Sequence, residues 1–321
     1  MNRLTKGVLA TAAVAVSLVA TACGGVSGGE GGQFRYMVPN AAGSGWDNTA
    51  RTAAKIMEED KIADRIDVFN VDGANGTVGL SRLVADDGNG ALVMQMGYGL
   101  VAATVSQSSS TTFADTTPVA KLLDEYLAVV VPADSPFNNL DDLLAGWKAN
   151  PRLNAGGGSA IGGADHVATL LMADANGIAR TDVNYVSFSG GLLPAVLGGQ
   201  VDFAVTSAAD AVEQIEAGKL KAIAVTGERR FDALPDVPTL TESGTDVVVA
   251  NWRGVVAPPG LDEQETQNLI DTFTALHESQ GWKDAVERNG WVDAFVTGDE
   301  FGTYLDQQAV QIRAALDGLE Q

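Results

Sequence analysis

The stretch MVPNAAGSGWD, residues 37–47, carries the most information about the fold. Its first two residues end an apolar run that starts at Phe34, and Asp47 at its end begins a segment with helical spacing. Between the two lies a loop that contains Gly43 and Gly45. Glycine lets the chain turn its N–H groups toward one point, and the start of a helix adds partial positive charge. The stretch therefore predicts a strand, an anion-binding loop and a helix in succession.

A second unit of the same type lies in the middle of the chain. The stretch AGGGSAIGGADH, residues 155–166, places another glycine-rich loop before a helix, and lesser loops occur at 95–97, 187–191 and 206–207. In α/β proteins ligands bind at the carboxyl ends of the strands, so the two main loops are expected to face one site. A glycine cluster after a strand is more often only a tight turn, and neither main loop matches a nucleotide-binding signature.

Strand-like and helix-like segments alternate along the chain. Short apolar runs predict strands at 34–38, 66–71, 91–96, 127–131, 183–186, 201–205, 221–225 and 247–250. Helical spacing predicts helices at 47–59, 77–86, 140–149, 164–176, 208–217, 262–280 and 298–318. This alternation predicts an α/β fold with sheets that are rich in parallel strands and flanked by helices.

The composition limits the partners and the chemistry. The 321 residues are 45% hydrophobic, which is enough for two lobes that each have a core. Acidic residues outnumber basic residues 41 to 20, so no nucleic-acid partner is expected. One Cys and two His exclude zinc fingers and iron–sulfur clusters, and neither a metal nor a cofactor is expected.

The first 33 residues predict a targeting signal and a tether. Arg3 and Lys6 precede an apolar run at 7–22, which is typical of a secretory signal peptide. The small residues before Cys23 resemble the lipobox of bacterial lipoproteins, in which Cys23 would become the lipidated first residue. The alternatives are an uncleaved anchor or a cysteine that occurs there by chance. The segment 23–33 would then be a lipidated, flexible tether. The protein is expected outside the cytoplasm, held to the outer face of the cell membrane by lipid.

Catalysis has little support in the sequence. Ser159, Asp165 and His166 lie close together, but Asp165 and His166 are adjacent, so their side chains would diverge by about 100° on a helix. The one literal G-x-S-x-G stretch, at 25–29, falls in the tether rather than between a strand and a helix. His166 is expected to face a ligand or to be structural, and Trp46 to form a pocket wall or to pack in the core. We therefore expect a binding protein and not an enzyme.

Five motifs, in order along the chain, resemble those of the extracytoplasmic solute receptors of tripartite tricarboxylate transporters, the TctC or Bug family. They are VPNAAGSGWD (38–47), DGANGTVG (72–79), LGGQVD (197–202), AGKLKAIAVT (217–226) and LPDVPTL (234–240). The resemblance implies a two-lobed periplasmic-binding-protein fold of type II, the Venus flytrap. Lobe one would span 34–131, lobe two 132–251, and residues 252–321 would return to lobe one.

The resemblance also implies a ligand and a site. Family receptors hold carboxylates mainly through backbone N–H groups of the two glycine loops, with an acid at the position of Asp47 acting through water. Carried onto this chain, the expected ligand-binding residues are Asn40, Ala41, Gly43, Ser44, Gly45, Trp46, Asp47, Gln95, Gly97, Gly158, Ser159, His166, Ser189, Gly190, Thr206 and Ser207. The ligand would be a di- or tricarboxylate or a related organic anion, delivered to membrane permease subunits.

Two other functions stay open from the sequence. The same fold could report its ligand to a membrane kinase, and Ser159 with His166 could serve an extracellular hydrolase. The acidic composition raises a further question, namely how a chain with a net charge of −21 holds an anion. Our interpretation is that neutral backbone donors at two helix starts bind it, without a cationic cluster.

Overall fold

The structure is a computed structural model that describes residues 34–188 and 190–317. These residues form two lobes, each built on one β-sheet with helices packed against it. The predicted two-lobed α/β architecture is therefore confirmed. The predicted signal peptide, Cys23 and the tether lie outside the described residues.

Lobe one contains a six-stranded sheet. Its strands are β1 (Phe34–Val38), β2 (Ile66–Asn70), β3 (Leu92–Gly97), β4 (Thr117–Asp124), β10 (Arg253–Ala257) and β11 (Val292–Thr297). Its helices are α1 (Gly45–Glu59), α2 (Thr77–Val84), α3 (Tyr98–Ser106), α8 (Glu263–Glu278), α9 (Gln280–Arg288) and α10 (Gly298–Leu316). The strand order is β11–β4–β10–β3–β1–β2, so a strand from the C-terminal part of the chain lies in the middle of the sheet.

Lobe two contains a five-stranded sheet. Its strands are β5 (Leu127–Pro132), β6 (Asn154–Gly157), β7 (Asn184–Ser187), β8 (Phe203–Ser207) and β9 (Leu220–Val225), in the order β7–β6–β8–β5–β9. Its helices are α4 (Leu140–Ala149), α5 (Ala164–Ala175), α6 (Leu192–Leu197) and α7 (Ala208–Glu216).

Both sheets are mixed, which corrects the prediction of sheets rich in parallel strands. Strands β1, β2 and β3 are parallel, as are β6, β7 and β8. Strand β5 is antiparallel to both of its neighbours, and so is β10. The path of the chain explains this, because β5 and β10 are the strands by which the chain enters a lobe from the other one. They begin at the cleft, where the parallel strands end.

The chain crosses between the lobes twice, and the two crossing segments are paired. The Glu125 N–H donates to the Asn251 carbonyl (3.3 Å) and the Asn251 N–H donates to the Glu125 carbonyl (2.9 Å), next to a bridge between Tyr126 and Ala250. The first crossing therefore lies at 125–126. The expected boundary after residue 131 is corrected, because β5 is hydrogen-bonded into the sheet of lobe two.

Some elements could not be predicted from hydrophobic pattern. The segment 247–250 is not a strand but a loop that holds only the bridge at Ala250. Strand β4 was missed because it contains Lys121, whose ammonium pairs with Asp124 (2.8 Å) and lies over the Tyr304 ring. Strand β6 was missed because half of it is glycine.

The C-terminal part folds back onto lobe one and also contacts lobe two. The Trp252 ring packs against Phe301 and Tyr304 of α10, with ring centres 5.8 and 5.5 Å away. At the other end of α10, the Arg180 guanidinium of lobe two donates to the carbonyls of Ala314 and Ala315. Among residues 34–188 and 190–317, no helix combines the length and the hydrophobicity that a membrane span requires.

Candidate functional site

A cavity of about 380 Å³ lies between the lobes, beside the two crossing segments. Five residues predicted from the sequence line it, namely Gly45, Gly158, Ser159, Thr206 and Ser207. Charged and amide side chains that were not predicted also line it, namely Glu125, Asp165, Asp210, Asn251, Arg253 and Asn289. Two larger cavities, of about 680 and 600 Å³, open elsewhere on the surface, and none of the predicted site residues lines them. The cavity between the lobes is therefore the candidate site.

An ion pair on the crossing segments forms one wall of this cavity. The Arg253 Nη2 donates to Glu125 Oε2 (2.6 Å), and the Asn251 Nδ2 donates to the same oxygen (2.8 Å). The two charged side chains are only 9% and 19% exposed. The Arg253 Nε is buried and has no hydrogen-bond partner among the described residues. The guanidinium therefore keeps donor capacity that Glu125 does not use.

From the sequence, no cationic cluster was expected at the site, and Arg253 was not predicted. Arg253 directly follows the second crossing. A basic residue at the point where the chain enters lobe one was therefore the sequence signal that could have identified it. The Arg253 side chain also lies against the start of α1, because a Cβ atom on Gly45 would be 2.8 Å from Nη2. The first N–H groups of a helix have no partner within the helix. Arg253 and the start of α1 thus place a cation and helix N–H donors side by side.

The second glycine loop is held by a side chain of the helix that follows it. Asp165, in the first turn of α5, accepts through Oδ2 from the N–H groups of Gly158 (2.7 Å) and Ser159 (3.0 Å). The Ser159 carbonyl accepts from the hydroxyls of Tyr185 and Ser187, each at 2.9 Å. Two of the amides predicted to bind the ligand therefore donate to Asp165 in this conformation.

His166 also stabilises the second glycine loop. Its Nδ1 accepts from the Gly162 N–H (3.0 Å), and its ring centre lies 4.6 Å from that of Tyr185. The side chain is buried and does not line the cavity. Of the two roles predicted for His166, the structure favours the structural one.

The first glycine loop is likewise held by its own side chains. Asp47 is buried, and its carboxylate accepts from the Gly43 N–H (2.8 Å) and from the Arg51 guanidinium (2.9 Å). Asn40 Oδ1 accepts from the Ala41 N–H (2.8 Å). In addition, Ser44 caps α1 by accepting from the Asp47 N–H. None of these loop residues lines the cavity, so of this loop only Gly45 reaches it.

Three further predicted site residues belong to the core. The Trp46 ring is buried, and its Nε1 lies so close to Gly97 that a Cβ there would be 2.9 Å away. Gln95 is fully buried, accepts from the Tyr36 hydroxyl (2.7 Å) and donates to the Gly254 carbonyl (3.1 Å). These three residues therefore pack in the core and do not line the cavity, and their predicted contact with a ligand stays a prediction.

Two predicted residues of lobe two remain. Gly190 does not line the cavity. Ser189 lies outside the described residues.

A family model described as "Tripartite tricarboxylate transporter family receptor", or TctC, matches residues 49–308. The chain belongs to this family. The receptor is 28% identical to Protein BugT of Bordetella pertussis over 272 residues, which cover 83% of each chain.

Solved structures of similar proteins agree with the family. A TctC solute-binding protein from Polaromonas has a TM-score of 0.79 at 26% identity, covering 89% of this chain and 98% of that one. MatC from Rhodopseudomonas palustris, solved with bound malate, has a TM-score of 0.70 at 22% identity and covers 89% and 99% of the two chains. The periplasmic-binding-protein fold is confirmed by this likeness.

Family membership makes the chain a solute-binding receptor and not an enzyme. The geometry also gives the hydrolase hypothesis no support. The Ser159 hydroxyl lies 3.4 Å from that of Tyr185, while His166 Nδ1 accepts from the Gly162 N–H. Among the described residues, no hydrogen bond joins Ser159 to His166.

Two neighbouring residues of α5, Asp165 and His166, give the stability of the receptor opposite dependences on pH. Burial raises the pKa of Asp165 from 3.8 to about 6, although the N–H groups of Gly158 and Ser159 oppose the shift. The folded state therefore binds this proton more tightly than the unfolded chain, and Asp165 costs stability as pH rises from about 4 to about 6. Burial lowers the pKa of His166 from 6.5 to about 4, so His166 costs stability as pH falls through that range.

We predict that Asp165→Asn removes the loss of stability that Asp165 causes as pH rises. The difference in unfolding free energy between the variant and the wild type should shift in favour of the variant between pH 4 and pH 6, then stay constant above pH 7. Urea unfolding at intervals across this range measures it. Asp174→Asn, which changes an exposed acid at the other end of α5, is the control. Parallel pH curves for Asp165→Asn and the wild type would contradict the prediction.

Proposed function

We propose that this receptor is a lipid-anchored, extracytoplasmic protein that binds a small carboxylate between its lobes and delivers it to membrane permease subunits. The observation that carries the proposal is that Arg253, a largely buried cation, lines the cavity between the lobes. Guanidinium donors match a carboxylate in geometry and charge. The malate bound by MatC supports the choice of ligand class.

The placement of Arg253 explains how an acidic chain could hold an anion. Electrostatic interactions between exposed charges are screened over about 8–10 Å, so the net charge of the whole surface acts weakly inside the cleft. A buried guanidinium interacts more strongly, because the surrounding protein excludes water. The start of α1 at Gly45 adds N–H donors and partial positive charge at the same wall.

Closure of the lobes would follow from the way the cavity is shared. Gly45 and Arg253 belong to lobe one, whereas Thr206 and Ser207 belong to lobe two. A ligand that contacts both walls binds the closed form more tightly than the open form and so shifts the population toward closure. The permease subunits would then recognise the closed receptor.

Calorimetric titration tests the ligand class. We expect saturable 1:1 binding of at least one member of a panel of malate, succinate, adipate, citrate and glutamate to the purified receptor. A panel of sugars and inorganic cations serves as the comparison. Binding to that second panel alone would contradict the proposed function.

Membrane fractionation tests the anchor. Cys23→Ala should move the receptor from the membrane fraction to the soluble extracytoplasmic fraction, because the residue that would carry the lipid is absent. Ser27→Ala, a change of similar size within the tether, should leave the receptor in the membrane fraction. Retention of the Cys23→Ala protein in the membrane would contradict lipid anchoring.

A further inference from the structure

The charges around the cavity do not suit a ligand that is only anionic. Three carboxylates line it, those of Glu125, Asp165 and Asp210, and Arg253 is the one basic side chain among the described lining residues. Glu125 already engages that guanidinium at 2.6 Å. Within the described chain, neither Asp165 nor Asp210 forms an ion pair. A di- or tricarboxylate would thus bring more negative charge to a cavity that already has an excess of it.

The carboxylates also affect one another. Burial raises the pKa of Asp165, and the charge of Glu125 adds to that rise. Asp210, at the start of α7, has its pKa raised by partial desolvation and again by Glu125. Burial is the larger cause of both shifts, and the repulsion from Glu125 adds to it because these negative charges lie near one another. A cationic group in the cavity would relieve this repulsion.

Apart from Glu125, which pairs with Arg253, the two kinds of charge lie on different walls. Asp165 and Asp210 both belong to lobe two, in the first turns of α5 and α7. The anion-binding wall belongs to lobe one, where Arg253 is only 9% exposed and lies against Gly45 at the start of α1. The cavity therefore presents a guanidinium and a helix start on one side, and on the other two carboxylates that form no ion pair within the described chain.

We infer that the ligand is an amino carboxylate, with its carboxylate against Arg253 and the start of α1 and its ammonium against Asp165 and Asp210. The inference rests on the proposed function, because it specifies the class of carboxylate that the same cavity takes. A zwitterion satisfies both walls at once when the lobes close. A ligand without the ammonium group leaves the lobe-two carboxylates unpaired.

Matched pairs of ligands test this inference. Aspartate and succinate, glutamate and glutarate, and leucine and 4-methylpentanoate differ within each pair by one ammonium group. Calorimetric titration of the wild-type receptor should give an affinity at least about tenfold higher for the amino member of whichever pair binds, as expected for a charge-assisted hydrogen bond. The same titrations on Asp210→Asn should lower that ratio by about threefold or more.

The control is Asp141→Asn. It makes the same change of charge at an exposed residue in the first turn of α4, which does not line the cavity, and it should leave the ratio unchanged. Binding of succinate or glutarate as tight as that of the amino partner would overturn the inference while leaving carboxylate capture intact. An unchanged ratio in Asp210→Asn would overturn the placement of the ammonium. Binding of malate, adipate or citrate but of none of the six compounds would overturn the inference, and binding of no carboxylate at all would contradict carboxylate capture itself.

Discussion

The variant Arg253→Gln is expected to lose about 3–5 kcal/mol of unfolding free energy, the largest loss from a single substitution in the cleft. Removing the guanidinium leaves the Glu125 carboxylate, which is 19% exposed, with Asn251 as its remaining side-chain donor. An unpaired buried charge is far more costly than a missing ion pair. Urea or thermal unfolding measures the loss.

The double variant Glu125→Gln/Arg253→Gln separates the two contributions. It removes both charges, so we expect most of the lost stability to return. Arg35→Gln is the matched control, because Arg35 and Asp67 form a pair at 3.5 Å whose side chains are 38% and 45% exposed. Such a pair contributes about 0–1 kcal/mol. A double variant as unstable as Arg253→Gln alone would contradict the explanation by charge.

The same double variant tests the role of Arg253 in binding. It should fold well enough to titrate, yet bind the ligand about tenfold or more weakly, since a charged donor to the carboxylate is gone. Arg35→Gln should bind as the wild type does. Wild-type affinity in the folded double variant would show that Arg253 is structural only.

Gly97→Ala is expected to lower the unfolding free energy by about 1–3 kcal/mol, as overpacking of a filled core does. A Cβ at this position would be 2.6 Å from the Trp252 carbonyl oxygen and 2.9 Å from Trp46 Nε1. The carbonyl belongs to the backbone and accepts from the Tyr98 N–H (3.3 Å), so it cannot move aside without loss of that contact.

Gly99→Ala, two residues later, is the matched control. There the nearest atom to a new Cβ is in the Trp46 ring at 3.6 Å, an ordinary packing distance, and the position is helical. Alanine should therefore be neutral or stabilising by up to about 1 kcal/mol. If Gly97 were instead a ligand contact, as its place after a strand suggested, Gly97→Ala would weaken binding without changing the urea midpoint.

The predicted residues that do line the cavity are those whose position follows from topology. Gly45, Gly158, Thr206 and Ser207 stand where a strand gives way to a helix, and that junction faces the cleft whatever the neighbouring side chains do. Their contacts with a ligand remain predictions. The direction of a side chain does not follow from topology, because Trp46 stands at the same junction and its ring is buried in the core.

Two features of the site had no local pattern from which to predict them. Arg253 and Glu125 are 128 positions apart and meet only because both crossings pass the same point. The Asp165 carboxylate turns back onto the preceding loop and accepts from the amides that were predicted to bind the ligand. Whether it does so depends on its rotamer and not on its residue type. No strand was predicted from the sequence at Arg253–Ala257, and an apolar run would not have shown which way that strand is paired.

Strand β10 joins β3 to β4 in the middle of the six-stranded sheet, although the whole of lobe two separates it from them in the chain. Among the described strands, β4 pairs only with β10 and β11, both of which are made later. On the ribosome, all five strands of lobe two leave the exit tunnel before β10 does. The lobe that comes second in the sequence is therefore the first whose sheet can be completed during synthesis.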